Sequence, residues 1–330
     1  MRHIPLEQPL IDILERKATL QEEILRLQDA ASSGEDVTAR QKQVEASITV
    51  LDKDYLRLQQ DIFGSLTPLD RVQLARHPER PYTLDYLSYL VTDWCELHGD
   101  RRYADDGAIV TGLGVFSETR SVAVAGHQKG RNVAERKARN MGMPGPSGYR
   151  KAVRVMELAG RFGHPVLTFI DTAGAACSPE AEEQGISEAL AAAQMAMAAL
   201  PVPIIATVIG EGGSGGAIAL GVADHIIMLE HSYYSVISPE GCASIIWRDA
   251  TRFGEAAEAL RLSAQDALEF GFCDEVLEEP PGGAHQDPTL TAQRLEESIA
   301  AALDRLGKLG PEELVAQRFE KFSKMGRYAE

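Results

Sequence analysis

The sequence predicts an α/β protein whose sheet is largely buried, with a helical hairpin before it and further helices after it. Short β-branched or apolar runs, which are typical of buried strands, alternate with helical stretches. The runs are AIVTGLGVF, SVAVAGHQ, PVLTFIDT, PIIATVIG, HIIMLE and YSVIS, and the helical stretches lie near 147–162, 179–200, 214–223 and 239–250. This alternation indicates a core in which helices cover the sheet.

Two amphipathic helices are predicted in the N-terminal part, because apolar side chains recur there at helical spacing. The first stripe comprises Leu10, Ile13, Leu20, Ile24 and Leu27, and the second comprises Val44, Ile48, Leu51, Tyr55, Leu58 and Ile62. Gly34 supplies the turn of this hairpin. The stripe needs a covering surface, which is either the protein's own core or another subunit.

The chain divides into four predicted segments: an N-terminal helical hairpin (1–65), a connector rich in proline and aromatic residues (66–103), a core (104–275) and a C-terminal helical segment (276–330). Within the connector we predict a helix from Thr83 to about His98. Near the C-terminus, helices are predicted at 254–270 and 289–308, on either side of the loop EEPPGGAHQDP, whose proline and glycine content disfavours regular structure.

Charge and composition exclude several classes of protein. The 330 residues include 33 Lys and Arg against 49 Asp and Glu, and this formal net charge of -16 repels nucleic acids and anionic membranes. No run of about 18 apolar residues provides a membrane span. Pro5 and Pro9 interrupt the N-terminus where a secretory signal needs an unbroken apolar stretch. We therefore expect a cytoplasmic protein without a nucleic-acid partner.

The four cysteines lie far apart and form no CxxC pair; they are Cys95, Cys177, Cys242 and Cys273. Zinc ligands and disulfide frameworks both need closer or more regular spacing. We expect no metal in this chain.

A glycine segment, Gly210–Gly216, is the sharpest local feature, with five glycines in seven positions. It follows the predicted strand 204–209 and precedes the predicted helix 217–223. Glycine allows close approach of a ligand and lets backbone amides point outward, so the segment predicts an oxyanion or phosphate site. It matches neither the P-loop nor the dinucleotide fingerprint. Ser214 as a nucleophile is the weaker interpretation, because no His or Asp partner can be assigned to it.

A second candidate loop, Asp171–Glu180, also follows a predicted strand. Ser178 and Pro179 are a good cap and first-turn pair, so the loop could simply lead into a well-capped helix. Alternatively it forms a wall of a ligand slot that faces the glycine segment, because ligands bind at the carboxyl ends of strands in α/β sheets.

Basic residues cluster between 129 and 154, where Lys129, Arg131, Arg136, Lys137, Arg139, Arg150, Lys151 and Arg154 face one acid, Glu135. A solvated helix face is one explanation of such a charge run. The other is an anionic partner, such as the phosphates of a coenzyme A thioester.

These segments together resemble the alpha subunits of bacterial acetyl-CoA carboxyltransferase. The resemblance rests on GHQKGR, NMGMPGPSGYRKAVRVM, TFIDTAGA, TVIGEGGSGGAIALGV and YSVISPEGCASIIW, with LARHPERPYTLDYL and PPGGAHQDP in support. It implies a crotonase-like fold of repeated ββα units and transfer of a carboxyl group from carboxybiotin to acetyl-CoA, giving malonyl-CoA for fatty acid synthesis. It also implies a zinc-bearing beta subunit in an α2β2 heterotetramer, with a biotin carboxyl carrier protein and biotin carboxylase as further partners.

The resemblance also implies roles for particular residues. The amides of Gly215 and Gly216 would form an oxyanion hole, so this subunit needs no side-chain acid or base. The residues implied in substrate binding are Gly212, Gly213, Asp171, Thr172, Gly174, Ala175, Lys129, Arg150 and Lys151.

One loop departs from the family pattern, because Ala173, Ala176, Cys177 and Ser178 replace a proline, an aromatic residue and a small pair. A non-catalytic paralogue that binds a beta-type partner is therefore the alternative hypothesis. A stand-alone acyl-CoA hydratase or isomerase would need an acid or base beside the thioester. Glu211 is the one carboxylate in the glycine segment, and we expect it to shape the turn instead.

Overall fold

The computed structural model describes residues 4–33 and 36–326, so the predicted turn residue Gly34 lies outside the described residues. The helices are α1 Gln8–Ser32, α2 Thr38–Phe63, α3 Pro68–Ala75, α4 Thr83–Leu90, α5 Val133–Ala138, α6 Pro146–Phe162, α7 Pro179–Glu183, α8 Ile186–Ala199, α9 Ser214–Ile218, α10 Pro239–Trp247, α11 Phe253–Leu260, α12 Ala264–Glu269, α13 Pro288–Leu306 and α14 Pro311–Ser323. The strands are β1 Val91–Glu96, β2 Ile109–Phe116, β3 Arg120–His127, β4 Val166–Thr172, β5 Ile204–Gly213, β6 His225–Leu229, β7 Tyr233–Ser235 and β8 Glu275–Leu277.

One mixed sheet organises these strands in the order β1-β2-β3-β4-β5-β6-β8, and β7 pairs with the end of β5. β1, β2 and β3 are antiparallel neighbours, whereas the pairs from β3 onward are parallel. Every residue of β4 and β5 is buried. The parallel strands therefore bring their carboxyl ends to one edge of the sheet, where the glycine segment lies.

Helices cover both faces of the sheet, which confirms the predicted α/β class. On one face α6 and α8 pack on side chains such as Ile170 and Val208. On the other face Tyr86 of α4 and Leu295 of α13 pack with Phe169. Successive residues Phe169 and Ile170 point to opposite faces, as the twofold period of a strand requires.

The predicted hairpin helices α1 and α2 are present and pack on each other. Of the predicted stripe, Leu10 and Val44 are buried, whereas members such as Ile24 and Leu51 are half-buried. The apolar stripe is thus covered in part. Within the described ranges no helix has the length and apolar character needed to cross a membrane.

The helix predicted from Thr83 to about His98 is wrong beyond Leu90, because Val91–Glu96 form β1. Val91 has extended backbone angles and pairs with Phe116 of β2. The β-branched residues Val91 and Thr92 favour this edge strand. The helical spacing of the preceding residues concealed the change of structure.

Two other predicted helices are interrupted. The stretch 179–200 is divided at Gly185, which has φ +78°, and the stretch 254–270 is divided at Arg261, which has φ +46°. Ser263 then caps α12 by accepting a hydrogen bond from the Asp266 N–H. A left-handed residue ends each helix, because the α-helix cannot continue through it.

Candidate functional site

The glycine segment is divided between two elements, because Gly210–Gly213 extend strand β5 and Ser214–Gly216 begin α9. The strand was predicted to end at Ile209, but it runs to Gly213, and the helix predicted to reach 223 is confined to α9, Ser214–Ile218. Gly212 pairs with Tyr234 of β7, and a Cβ on Gly212 would lie 2.5 Å from the Tyr234 ring. The absence of a side chain therefore permits the strand pairing that carries the chain to the sheet edge.

Ser214 turns the chain from β5 into α9 with φ +49°, in the left-handed region. The turn places Gly215 and Gly216 in the first turn of α9, where amides have no acceptor within the helix. Gly216 is buried and Gly215 is half-buried, whereas Ser214 is exposed. Among the described residues, no histidine or acid forms a hydrogen bond with the Ser214 hydroxyl, so the structure does not supply the base that a nucleophile needs.

The loop after β4 lies directly against the glycine segment. A Cβ on Gly216 would lie 2.6 Å from the Ala175 N and 2.7 Å from the Gly174 C. The Gly174 N–H donates to Thr172 Oγ1 at 3.1 Å, and Thr172 Oγ1 lies 2.6 Å from the Gly142 O. The structure thus brings Thr172, Gly174 and Ala175 together with Gly216.

The same loop also leads into a capped helix, as the alternative interpretation expected. Ser178 Oγ accepts a hydrogen bond from the Ala181 N–H at 3.3 Å, and Pro179 occupies the first position of α7. Cys177 is exposed beside this cap. The two interpretations are therefore compatible, because separate parts of the loop carry them.

Buried charges lie beneath the glycine segment. Lys129 Nζ lies 2.7 Å from Asp171 Oδ1 and 2.6 Å from Glu211 Oε2. Glu211 Oε1 also accepts from Arg76 Nε at 2.6 Å and from the Tyr233 hydroxyl at 2.7 Å. Sequence reasoning missed Arg76 and Tyr233, although Arg76 lies within the LARHPERP motif.

The charges of this network stabilise one another. Burial by itself would lower the pKa of Lys129, but the charges of Asp171 and Glu211 raise it above its usual value. Burial would likewise raise the pKa of Glu211, but Lys129 and Arg76 lower it to about 2. Lys129 is therefore a cation and Glu211 an anion at neutral pH, and Glu211 is engaged by three side chains.

The other two predicted cations lie elsewhere. The Lys151 side chain is 1% exposed, and its Nζ lies 2.6 Å from Asp105 Oδ1. Arg150 Nη2 donates to the Gln184 O at 2.7 Å and lies 3.2 Å from Glu188 Oε2. The structure does not bring either side chain into contact with the glycine segment.

The exposed part of the basic cluster is α5, which buries none of its residues. Arg136 and Lys137 are exposed on this short helix. Glu135, the opposing acid, is engaged locally, because it accepts from the Asn132 amide and from the Arg131 N–H. Phosphate binding by the cluster stays a prediction.

Known proteins resemble this chain along nearly its whole length. A family model described as acetyl co-enzyme A carboxylase carboxyltransferase-like matches residues 11–326. The acetyl-coenzyme A carboxylase carboxyl transferase subunit alpha of Sorangium cellulosum is 50% identical over 325 residues, which cover 98% of this chain and 98% of that relative. The chain belongs to the family of acetyl-CoA carboxylase carboxyltransferase alpha subunits. The alpha subunit of Oceanobacillus iheyensis is 47% identical and covers 97% of this chain and 99% of its own.

Solved structures place this alpha-subunit family member in a wider fold group. A transcarboxylase 12S structure matches with a TM-score of 0.55 at 20% identity, covering 74% of this chain and 42% of that chain. A Pseudomonas malonate decarboxylase hetero-tetramer matches with a TM-score of 0.55 at 18% identity, covering 66% of this chain and 86% of its own. At these identities the likeness establishes the fold, which agrees with the crotonase-like fold expected from the sequence.

Away from the glycine segment, Glu7, His77 and His285 of this alpha subunit group their side-chain ligand atoms within 4.8 Å of one another, as a metal site would. However, His77 Nδ1 accepts the Glu79 N–H at 3.2 Å, which assigns the ring proton to Nε2. That Nε2 lies 3.1 Å from Glu7 and acts as a donor. A ligating nitrogen needs a free lone pair. The hydrogen bonds therefore favour direct contacts among Glu7, His77 and His285 over a metal site. We call these three residues the clasp.

Proposed function

We propose that this chain supplies the alpha half of a carboxyltransferase that moves a carboxyl group from carboxybiotin to acetyl-CoA, forming malonyl-CoA. The observation that carries the proposal is the pair of first-turn amides at Gly215 and Gly216, presented at the sheet edge against the Gly174–Ala175 loop. The identity of about half of all residues to named alpha subunits supports it.

We propose that the ureido group binds at the sheet edge beside these two segments. Backbone donors would lie on the glycine side, and the side chains of Ala175 and Ala176 on the other side are small. Carboxybiotin supplies the activated carboxyl group when it is bound. The Gly215 and Gly216 amides would donate to the ureido oxygen as negative charge develops there, and one such donor is worth roughly 3 kcal/mol. Because the amides are fixed beforehand, no side-chain acid or base is required of this subunit.

The remainder of the active site would come from a beta-type partner. Val236, Ile245 and Ile246 are exposed by 77%, 70% and 64% respectively. They follow β7, which pairs with the glycine end of β5, so the chain brings these apolar residues out from the glycine segment. We propose that a beta subunit, which would carry the zinc and most of the CoA site, covers them in an α2β2 assembly. We also propose a biotin carboxyl carrier protein and a biotin carboxylase as further partners, and a cytoplasmic location.

The two groups of basic residues considered for the CoA phosphates differ in whether an anion can reach them. Arg136 and Lys137 of α5 are exposed and can approach an anion directly. Arg150 and Lys151 are engaged within the protein. We therefore propose that α5 contributes phosphate contacts, and that Arg150 and Lys151 support the α6 surface.

The test is to mix this chain with a purified beta-type carboxyltransferase subunit and follow malonyl-CoA-dependent carboxylation of biocytin. Each subunit alone is the control. Activity in the mixture alone is the expected result, and it would show that the altered 173–178 loop is tolerated. A stable complex without activity would support the non-catalytic paralogue, and the absence of a complex would contradict the proposed function.

A further inference from the structure

Strand β5 contains a bulge at the start of the glycine segment. The pairing with β4 runs regularly to Ile170 and Val208 and resumes at Thr172 and Gly212. One residue of β4, Asp171, therefore lies opposite three residues of β5, Ile209, Gly210 and Glu211. Backbone groups at such a bulge lose their regular partners in the ladder.

Buried side chains replace two of those partners. Arg80 Nε donates to the Ile209 O at 2.6 Å, and the Glu211 N–H donates to Asp171 Oδ1 at 2.9 Å. Arg80 and Asp171 are 1% and 2% exposed. A Cβ on Gly210 would lie 2.5 Å from Asp171 Oδ1, so glycine at this position lets the carboxylate reach the strand.

Further charged side chains fix Arg80 and Asp171 in place. Lys129 Nζ donates to Asp171 and also to Glu211, so it ties β4 to β5 across the bulge. Arg80 Nη1 lies 2.7 Å from Glu279 Oε2, which fixes the guanidinium from the other side. Each carboxylate thus faces a cation, as buried charges require.

We propose that Arg80, Lys129 and Asp171 are positioning residues that brace the β5 bulge and thereby set the direction of the Gly215 and Gly216 amides. This assignment rests on the proposed function. The resemblance implied that Lys129 and Asp171 bind substrate. In this proposal they act on catalysis indirectly, by holding the backbone of β5.

We call Arg80, Lys129 and Asp171 the brace. They are needed because the backbone between the bulge and the Gly215 and Gly216 amides is weakly restrained. Gly212, Gly213 and Ser214 separate Glu211 from Gly215, and glycine restricts its own backbone least. Transition-state stabilisation by amides depends on their being fixed before the reaction. A brace at Glu211 limits the conformations available to the segment that follows.

The test compares three variants in the full chain, assembled with a beta-type subunit. Lys129→Met removes the ammonium group that links Asp171 to Glu211. Glu211→Gln keeps the shape of the side chain while removing its negative charge. Asp224→Asn is the matched control, because Asp224 pairs with buried Arg318 at 2.7 Å and binds the Ile204 N–H at the opposite end of β5. The readouts are thermal midpoint, kcat, KM for malonyl-CoA, and hydrogen exchange of residues 209–216 in the chain alone.

The expected result is that Lys129→Met lowers kcat by about tenfold or more, leaves KM for malonyl-CoA within about twofold, and speeds exchange of residues 209–216 by about tenfold. Asp224→Asn should lower the thermal midpoint comparably, yet leave kcat and that exchange unchanged. If Lys129→Met does not fold, the isosteric Glu211→Gln is expected to show the same changes in kcat, KM and hydrogen exchange.

Two results would overturn the brace. Unchanged kcat and unchanged local exchange in Lys129→Met and Glu211→Gln would reduce these residues to general stabilisers. A raised KM for malonyl-CoA with unchanged kcat would make Lys129 a substrate ligand. Failure of the proposed function is distinguishable, because the wild-type assembly would then be inactive while the exchange measurement still decides whether the brace exists.

Discussion

The imidazole rings of His77 and His285 stack with their centroids 3.8 Å apart, although the two residues are 208 positions apart in the chain. Both Nε2 atoms face the Glu7 carboxylate, at 3.1 Å from His77 and 2.9 Å from His285. Glu7 immediately precedes α1. The clasp therefore joins the N-terminal hairpin to the LARHPERP and PPGGAHQDP segments of the body.

Replacing Glu7 should release the hairpin from the core. Burial by itself would raise the pKa of Glu7, but hydrogen bonds from His285 and His77 lower it well below its usual range. A carboxylate with a lowered pKa stabilises the fold above the unfolded pKa, about 4.3, and this contribution is lost as the pH falls. We expect Glu7→Gln to speed hydrogen exchange in α1 and α2 by about tenfold at pH 7, a loss of about 1.4 kcal/mol. Glu23→Gln, which removes a half-buried partner of the exposed Arg40, is the control and should leave exchange unchanged.

The Arg80–Glu279 pair should be among the most sensitive positions for stability. Both side chains are at most 1% exposed. Removing one member of a buried ion pair leaves the other uncompensated, which typically costs about 3–5 kcal/mol. We expect Glu279→Gln to lower the free energy of unfolding by that amount in a denaturant titration. Glu255→Gln, at the exposed Arg252–Glu255 pair, should not shift the midpoint, and equal effects of both changes would contradict the burial argument.

Acid should destabilise the fold through the same buried carboxylates. Burial would raise the pKa of Glu279, but Arg80 lowers it to about 2, and the pKa of Glu211 is likewise about 2. Both folded pKa values lie below the unfolded value of about 4.3. The contribution of these carboxylates to the free energy of unfolding is therefore fully present above that pH and is lost between about pH 4.3 and pH 2. Unfolding free energies measured across this window should decrease, and Glu279→Gln should show a shallower decrease. An identical slope in both proteins would refute the assignment.

The two glycines of the proposed oxyanion hole should respond differently to alanine. A Cβ on Gly216 would collide with the backbone of the Gly174–Ala175 loop, whereas a Cβ on Gly215 would approach the flexible Leu190 Cδ1 at 3.2 Å. We expect Gly216→Ala to lose about 1–3 kcal/mol of stability and most of the transferase activity. Gly215→Ala should fold with a near-normal thermal midpoint. The reverse order of thermal midpoints would show that the loop does not lie against Gly216.

The sequence alone predicted the α/β core, because buried strands and covering helices each leave a periodic pattern. The same reasoning found the glycine segment but ended β5 too early, since glycine usually marks a turn and here permits tight strand pairing with Tyr234. It also failed at Val91, where a helical pattern continues into an edge strand. No local pattern could reveal the contacts of Lys129 or Arg80, because their partners lie up to 199 positions away.

The most direct test is a crystal structure of this chain assembled with a beta-type subunit and biocytin. The proposed oxyanion hole predicts that the ureido oxygen lies about 2.7–3.1 Å from the amide nitrogens of Gly215 and Gly216. A ureido oxygen bound elsewhere, with these amides facing solvent or another group, would contradict the central claim that backbone donors of this chain carry its share of catalysis.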